Sequence, residues 1–440
     1  MTADARVKPQ PRSLTQPPAD VASRTIGAAR EAPRLFSSLA YPQFRLFWLS
    51  NIMVATALMV QFVAQQWLIV QLTDSALVLG FISGIWAVAF ALSSIPVGVL
   101  ADRSNRRNLL ALGSLAALAI ALVIGVLVAA DMIRVWHVLI ASAIGGVLLA
   151  IRVPAGQAMT ARLVPPKQLM NAVSLNQTAN SLPHIAGPAA GGVLVVVIGV
   201  AGAYFFTSSV LLVALAMILG VAALHGAVER RAPTTMTADI GEAVAYLRGH
   251  GQLLALTAAM LIPFILGQSY VLLLPLFVET ELSLGPTAFG LLSACLGVGS
   301  VIGALTVARF GEERLIGLVM FASIVATGTA AVAYGLAGSV YLVGLVLLVA
   351  GAAESALFAA YQTILVVRLP DEIRGRVMGL LFTLVAMFPL GAAIAGAASD
   401  VVGLRTVAIV EGVIIIPAAV IAWFTVLRSL ASQPAEPAAA

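Results

Sequence analysis

The sequence predicts an all-α membrane protein of twelve spanning helices, arranged as two six-helix bundles. Three observations lead there. The 440-residue chain is 61% hydrophobic and only 10% charged, with a mean hydropathy of +1.04; a soluble domain carries about a quarter charged residues. Apolar runs of about 20 residues, each long enough to cross the hydrocarbon core as a helix, recur between short polar breaks. Of the 24 Lys and Arg residues, all except Arg134 and Arg405 fall in the terminal segments, at alternate breaks or in the span ends that lead to them.

Residues 1–40 are polar, rich in Pro, Ala and Arg, and lack apolar periodicity. No apolar segment of leader length follows the early charges, so a disordered cytoplasmic tail is expected rather than a secretory leader. The first bundle, 41–224, has spans near 44–71, 76–100, 107–129, 134–156, 169–197 and 200–224. A polar linker, 225–250, follows. Its stretch 238–249 predicts an amphipathic helix on the membrane surface, with Ile240, Val244 and Leu247 inward. The second bundle, 251–428, has spans near 252–279, 285–309, 314–336, 339–366, 374–398 and 402–427, before a polar tail at 429–440. Short cytoplasmic loops carry the Lys/Arg excess, so the charge pattern places both termini in the cytoplasm.

The halves repeat. Gly156-Gln-Ala-Met-Thr-Ala-Arg-Leu-Val-Pro165 recurs as Tyr361-Gln-Thr-Ile-Leu-Val-Val-Arg-Leu-Pro370, an offset of 205, and Gly98-Val-Leu matches Gly303-Ala-Leu at the same offset. Six spans repeated once is the layout of rocking secondary transporters.

Composition and motifs exclude other classes. The net charge of +5 is dispersed among breaks between spans, with no basic patch for nucleic acid. The single Cys295 cannot form an intramolecular disulfide and reads as a packing residue. There is no phosphate loop, no HExxH, no Cys/His cluster and no GxSxG elbow, so neither an enzyme, a metal nor a cofactor is expected.

Ionisable groups inside spans are costly and therefore functional candidates. They are Glu354 in span 10, Glu411 in span 12 and Arg152 in span 4. Glu354 is open to two readings, a proton acceptor or a structural carboxyl satisfied by Arg152 or Ser355. Glu411 reads as structural or near-surface. Arg152 either pairs with Glu354 or snorkels to the interface. Asn176, Asn180 and His184 share one face of span 5, either lining a pathway or bonding across the bundle interface. Trp86 supplies either an aromatic wall or ordinary packing.

Gly98-Val-Leu-Ala-Asp-Arg-Ser-Asn-Arg-Arg107 resembles the 2–3 loop signature of the major facilitator superfamily. Asn105 stands where the family has glycine, and asparagine also tolerates a left-handed turn. The resemblance implies that Gly98, Asp102, Arg103, Arg106 and Arg107 hold the two bundles together on the cytoplasmic side. Gly187-Pro-Ala-Ala-Gly-Gly192 is similar to the motif of antiporter members. There Pro188 would kink span 5, and Gly187, Gly191 and Gly192 would admit a neighbouring backbone. Trp67-Leu-Ile-Val-Gln-Leu-Thr-Asp-Ser75, Arg152-Val-Pro-Ala-Gly-Gln-Ala158 and Asn171-Ala-Val-Ser-Leu-Asn176 resemble the branch with the enterobactin exporter and macrolide efflux pumps. The span 4 arginine motif has altered spacing around Arg152.

This resemblance implies that spans 1, 4, 7 and 10 line a central cavity. It makes Gln61, Gln65, Gln268, Tyr270 and Tyr361 substrate-contact candidates, and Glu354 and Arg152 the proton-coupling candidates. It implies a monomer in the inner or plasma membrane that exports a small amphipathic or siderophore-like molecule by proton antiport. An uptake carrier or facilitator of another solute, and a membrane sensor that does not transport, are the alternatives.

Overall fold

The computed structural model describes residues 36–73, 75–222, 236–310, 313–386 and 388–428. Both expected tails and much of the linker lie outside them. Every described regular element is helical. Helix α1 (Pro42–Leu72) starts with proline in its first turn, where the missing N–H costs nothing. Helix α2 (Ala76–Arg103) is capped by Ser75, whose hydroxyl accepts from the Val78 N–H at 3.4 Å.

Helix α3 (Arg106–Ala129) begins at Asn105, whose side-chain oxygen accepts from the Arg107 N–H at 3.0 Å. With φ of −67°, Asn105 is not left-handed. The expectation of such a turn is corrected, because the residue serves as a helix cap instead. Helix α4 is Val135–Arg162 and α5 is Leu169–Gly220. The 52 residues of α5 hold two spans, and the chain turns between them at Gly199, whose φ of +74° favours glycine.

The second half is more broken. Helix α6 (Met236–Gly249) precedes α7 (Gly251–Gly267), α8 (Ser269–Leu272) and α9 (Leu274–Thr280). The span expected as one helix over 252–279 is thus three pieces. Helices α10 (Pro286–Phe310), α11 (Glu313–Leu336) and α12 (Val340–Arg368) are long. The next span divides into α13 (Asp371–Ala386) and α14 (Pro389–Val402), and α15 (Leu404–Ala422) follows Gly403 at φ +88°. Among the described residues ten helical stretches are long and apolar enough to cross a membrane. One of them is the doubled α5, and α13 with α14 supplies the remaining span, which makes twelve.

The turns after α2, α4, α10 and α12 and the residues flanking them carry Arg106, Arg107, Arg162, Lys167, Arg309, Arg368, Arg374 and Arg376 and define a basic end. The turns after α1, α3, α9, α11 and α14 define the far end. In the first half α1 and α3 pack on α5, and α2 packs on α4. In the second, α10 packs on α12, and α11 on α15. Small residues permit these crossings. A Cβ on Gly146 would strike the backbone of Trp86 and Phe90 in α2, and one on Gly351 the backbone of Leu296 in α10. These two glycines are themselves 205 residues apart, so the sequence repeat is a repeat of packing. Large apolar side chains such as Leu212, Leu305, Ile394 and Val401 face outward, as lipid contact requires.

Helix α6 packs on α7 and α13. Leu247 is buried there with Leu256 and Ile373, Val244 is half-buried, and the Ile240 side chain lies outside those described. An ion pair of 2.9 Å between Glu242 and Arg376 ties this helix to α13.

Candidate functional site

A cavity of about 650 Å³ lies mainly within the first half. Helices α1, α2, α3, α4 and both arms of α5 wall it, and Leu272, Phe388 and Pro389 reach it from the second half. Its apolar wall includes Val54, Leu58, Phe62, Ile82 and Trp86, with Trp86 stacked on Phe90 at 6.0 Å. Its polar groups are mostly amides and hydroxyls. Gln65 donates to the Ser142 hydroxyl at 2.7 Å, and the Asn51 side-chain amide donates to Asn176 Oδ1 at 2.6 Å. The Gln61 side-chain oxygen is buried without a partner. Asn180 and His184 line the same space. Such a chamber, mostly apolar with a few convergent polar groups, has the make-up of a small-molecule site.

Of the five expected substrate contacts, the structure brings Gln61 and Gln65 to this cavity and not Gln268, Tyr270 or Tyr361. Tyr361 is buried in the second half, its hydroxyl 2.7 Å from that of Thr257. Gln268 donates to Glu354 Oε2. Tyr270 is buried beside Tyr334, with ring centroids 5.0 Å apart.

Glu354 and Arg152 do not meet. The offset of 205 sets their helices in equivalent places, but in different halves. Arg152 faces the cavity in the first half, with its Nη2 3.4 Å from the Asn51 carbonyl oxygen. Glu354, 6% exposed, turns instead to the break between α7 and α8. Glu411 was expected to be structural or near-surface; it is equally buried and sits at the same break. It accepts from the Ser269 hydroxyl at 2.5 Å. Two buried carboxylates thus bond to two successive residues, Gln268 and Ser269, where one span is interrupted. Interrupted spans are recurrent ion-binding elements in transporters. The four-residue helix α8 links the two regions, because its Leu272 lies on the cavity wall.

The halves meet chiefly at the far end, through two crossings. In the first, α5 meets α10: Gly192 lies against the backbone of Pro286 and Gly290, and Gly290 against Pro188 and Gly192. Gly187 and Gly191 press on Met59, Val60 and Val63 of α1. The glycine-proline motif therefore sits between one helix of its own half and one of the other. In the second crossing, α2 meets α14: Gly80 abuts Ala392 and Ala393, and Gly396 abuts Ala76 and Leu77. Asp400 completes it. Its carboxylate accepts from the Ser75 hydroxyl at 2.7 Å and the Ala76 N–H at 2.8 Å, capping α2 from the opposite half.

At the basic end, Arg107 donates to the Ile218 carbonyl at 3.4 Å and to that of Leu219, satisfying the last turn of α5. Arg106 begins α3 beside it. The side chains of Asp102 and Arg103, and the surroundings of Gly98, lie outside the described residues.

The family profile described as transmembrane secretion effector matches residues 34–440. The chain is 24% identical over 360 residues to macrolide efflux protein A of Streptococcus pyogenes, covering 79% of this chain and 87% of that one. It is 26% identical over 301 residues to multidrug resistance protein MdtG of Citrobacter koseri, covering 67% and 71%. Among solved structures, a bacterial homologue of the human lysosomal transporter Spinster, inward-facing and unoccupied, superposes with a TM-score of 0.70 at 17% identity. That match covers 92% of this chain and 100% of the other. The nucleoside transporter NupG gives 0.70 at 13% identity, covering 89% and 99%. At these identities the structural likeness is one of fold.

Proposed function

The chain belongs to the transmembrane secretion effector family of major facilitator membrane transporters, and on that premise we propose that it exports a small amphipathic or siderophore-like molecule by proton-driven alternating access. The cargo occupies the 650 Å³ cavity, and the bundles 41–224 and 251–428 rock about it. The basic end faces the cytoplasm, as the Lys/Arg distribution supports. The glycine crossings at the far end form the outer seal. The relatives named for macrolide efflux and multidrug resistance support export as the direction.

One observation carries this reading: a large, amide-studded chamber beside a far end closed by close helix crossings. Opening the other side requires those crossings to part and the basic end to close. The coupling proton is held at Glu354, with Glu411 as its neighbour at the α7–α8 break. A proton gained or lost there changes the hydrogen bonds of Gln268 and Ser269. Helix α8 carries that change to Leu272 on the cavity wall, so cargo and proton communicate without sharing a chamber.

Gly113 offers a direct test. It lines the cavity, and a Cβ there meets nothing within 4 Å, so a large side chain enters empty space. Gly113→Trp is expected to reduce cargo uptake into inside-out vesicles to the level of empty ones, while the purified protein still elutes as a single folded species. Undiminished uptake by Gly113→Trp contradicts the placement of the cargo.

A further inference from the structure

We infer that Arg152 is the anchor for an acidic group on the cargo, so that the transported molecule is an amphipathic organic anion. This rests on the reading of the cavity as the cargo site and adds the charge of what occupies it. Arg152 is the one charged side chain, histidine set aside, among the described residues that line the chamber. No carboxylate lines it with them. Its contact with the Asn51 backbone carbonyl, at 3.4 Å, lies beyond the usual N–H···O range.

A guanidinium carries five donors in a planar fork suited to a carboxylate, sulfonate or phosphonate. Holding one in an apolar chamber without an acidic partner is costly. A cargo anion removes that cost through a bidentate, charge-assisted contact. The neighbouring groups favour the same pose. Asn51 and Asn176 already bond each other, so the fork is the strongest donor left on that side. Towards the far end, Phe62 of α1 and Trp86 of α2 add aromatic surface beside the uncharged Gln61 and Gln65. The acid therefore sits on Arg152 and the apolar body extends towards Trp86. Amides accept and donate alike and do not choose between charges; Arg152 does.

Two probes that share one frame isolate this term: 8-anilinonaphthalene-1-sulfonate, which is anionic, and N-phenyl-1-naphthylamine, which is neutral. Their affinities are measured for the full chain in nanodiscs of neutral phosphatidylcholine, with empty nanodiscs subtracted. A lipid of no net charge removes membrane anions as competitors. The expected result is an anion preference of about tenfold or more, which collapses towards one in Arg152→Gln and is partly kept in Arg152→Lys. A wild-type protein that binds both probes equally, or the neutral one better, overturns the inference. So does an Arg152→Gln protein whose affinities fall equally and whose ratio persists. Gly113→Trp separates the two claims. If it leaves both probes bound, the cavity is not the binding site and the reading beneath fails. If it removes both while the wild-type ratio is one, the cavity stands and only the anion is wrong.

Discussion

Gly290→Leu is expected to hold the far end open and abolish uphill transport. A Cβ at Gly290 would lie 3.0 Å from the Gly192 Cα, and closer still to the Pro188 carbonyl oxygen. Both neighbours are backbone and cannot rotate away. Overpacking of this kind costs about 1–3 kcal/mol or more, which converts to about a 5–150-fold loss of the sealed state. The residue just before α10 supplies a control, because a Cβ on Gly285 meets nothing within 4 Å. Gly285→Ala should transport normally. A trapped pH-sensitive dye reads the result: liposomes with Gly290→Leu should dissipate a proton gradient faster than those with wild type or Gly285→Ala. A tight, fully active Gly290→Leu protein would refute the seal.

The second large effect concerns Glu354→Gln. Glutamine keeps the shape and an oxygen that can still accept from Gln268, so the α7–α8 break should survive. What disappears is the titratable proton. With cargo loaded in the lumen, the acidification that its outflow drives should fall to the level of empty vesicles, while cargo exchange down its own gradient continues. Exchange reports that the protein still cycles, and so distinguishes lost coupling from misfolding. Uphill export by Glu354→Gln, driven by a pH gradient, would remove the residue from the coupling step and leave Glu411 to be tested alone.

Much of the fold was legible because lipid imposes a simple rule: spanning segments must be long, apolar and helical. The turn from α2 to α3, the repeat at 205 and the paired glycines of span 5 could all be read along the chain. The breaks at Gln268 and before Pro389 could not, since both residues lie among apolar neighbours that look continuous. The cavity was half legible. Gln61 and Gln65 lie on the wall, whereas Gln268, Tyr270 and Tyr361 pack inside the second half, because residue type reveals polarity but not which way a helix turns. Asn51 and Ser142 are missed contacts that no spacing marks. Nor does any local pattern show that Asp400 caps α2, since its partners Ser75 and Ala76 are more than 300 residues away. Pairing of Arg152 with Glu354, one of the two readings of that arginine, is not found for a related reason: a repeat gives equivalent places, not adjacent ones.

The most direct measurement follows the cavity itself. The chain has a single cysteine, Cys295, so Cys295→Ser gives a thiol-free background in which Gln61→Cys places one thiol on the cavity wall. Oriented vesicles are treated with a membrane-impermeant maleimide from each side in turn. Alternating access predicts labelling from the basic end at rest, and from the far end once that compartment is acidified in the presence of cargo. Labelling from one side only, whatever the gradient and cargo, would contradict it.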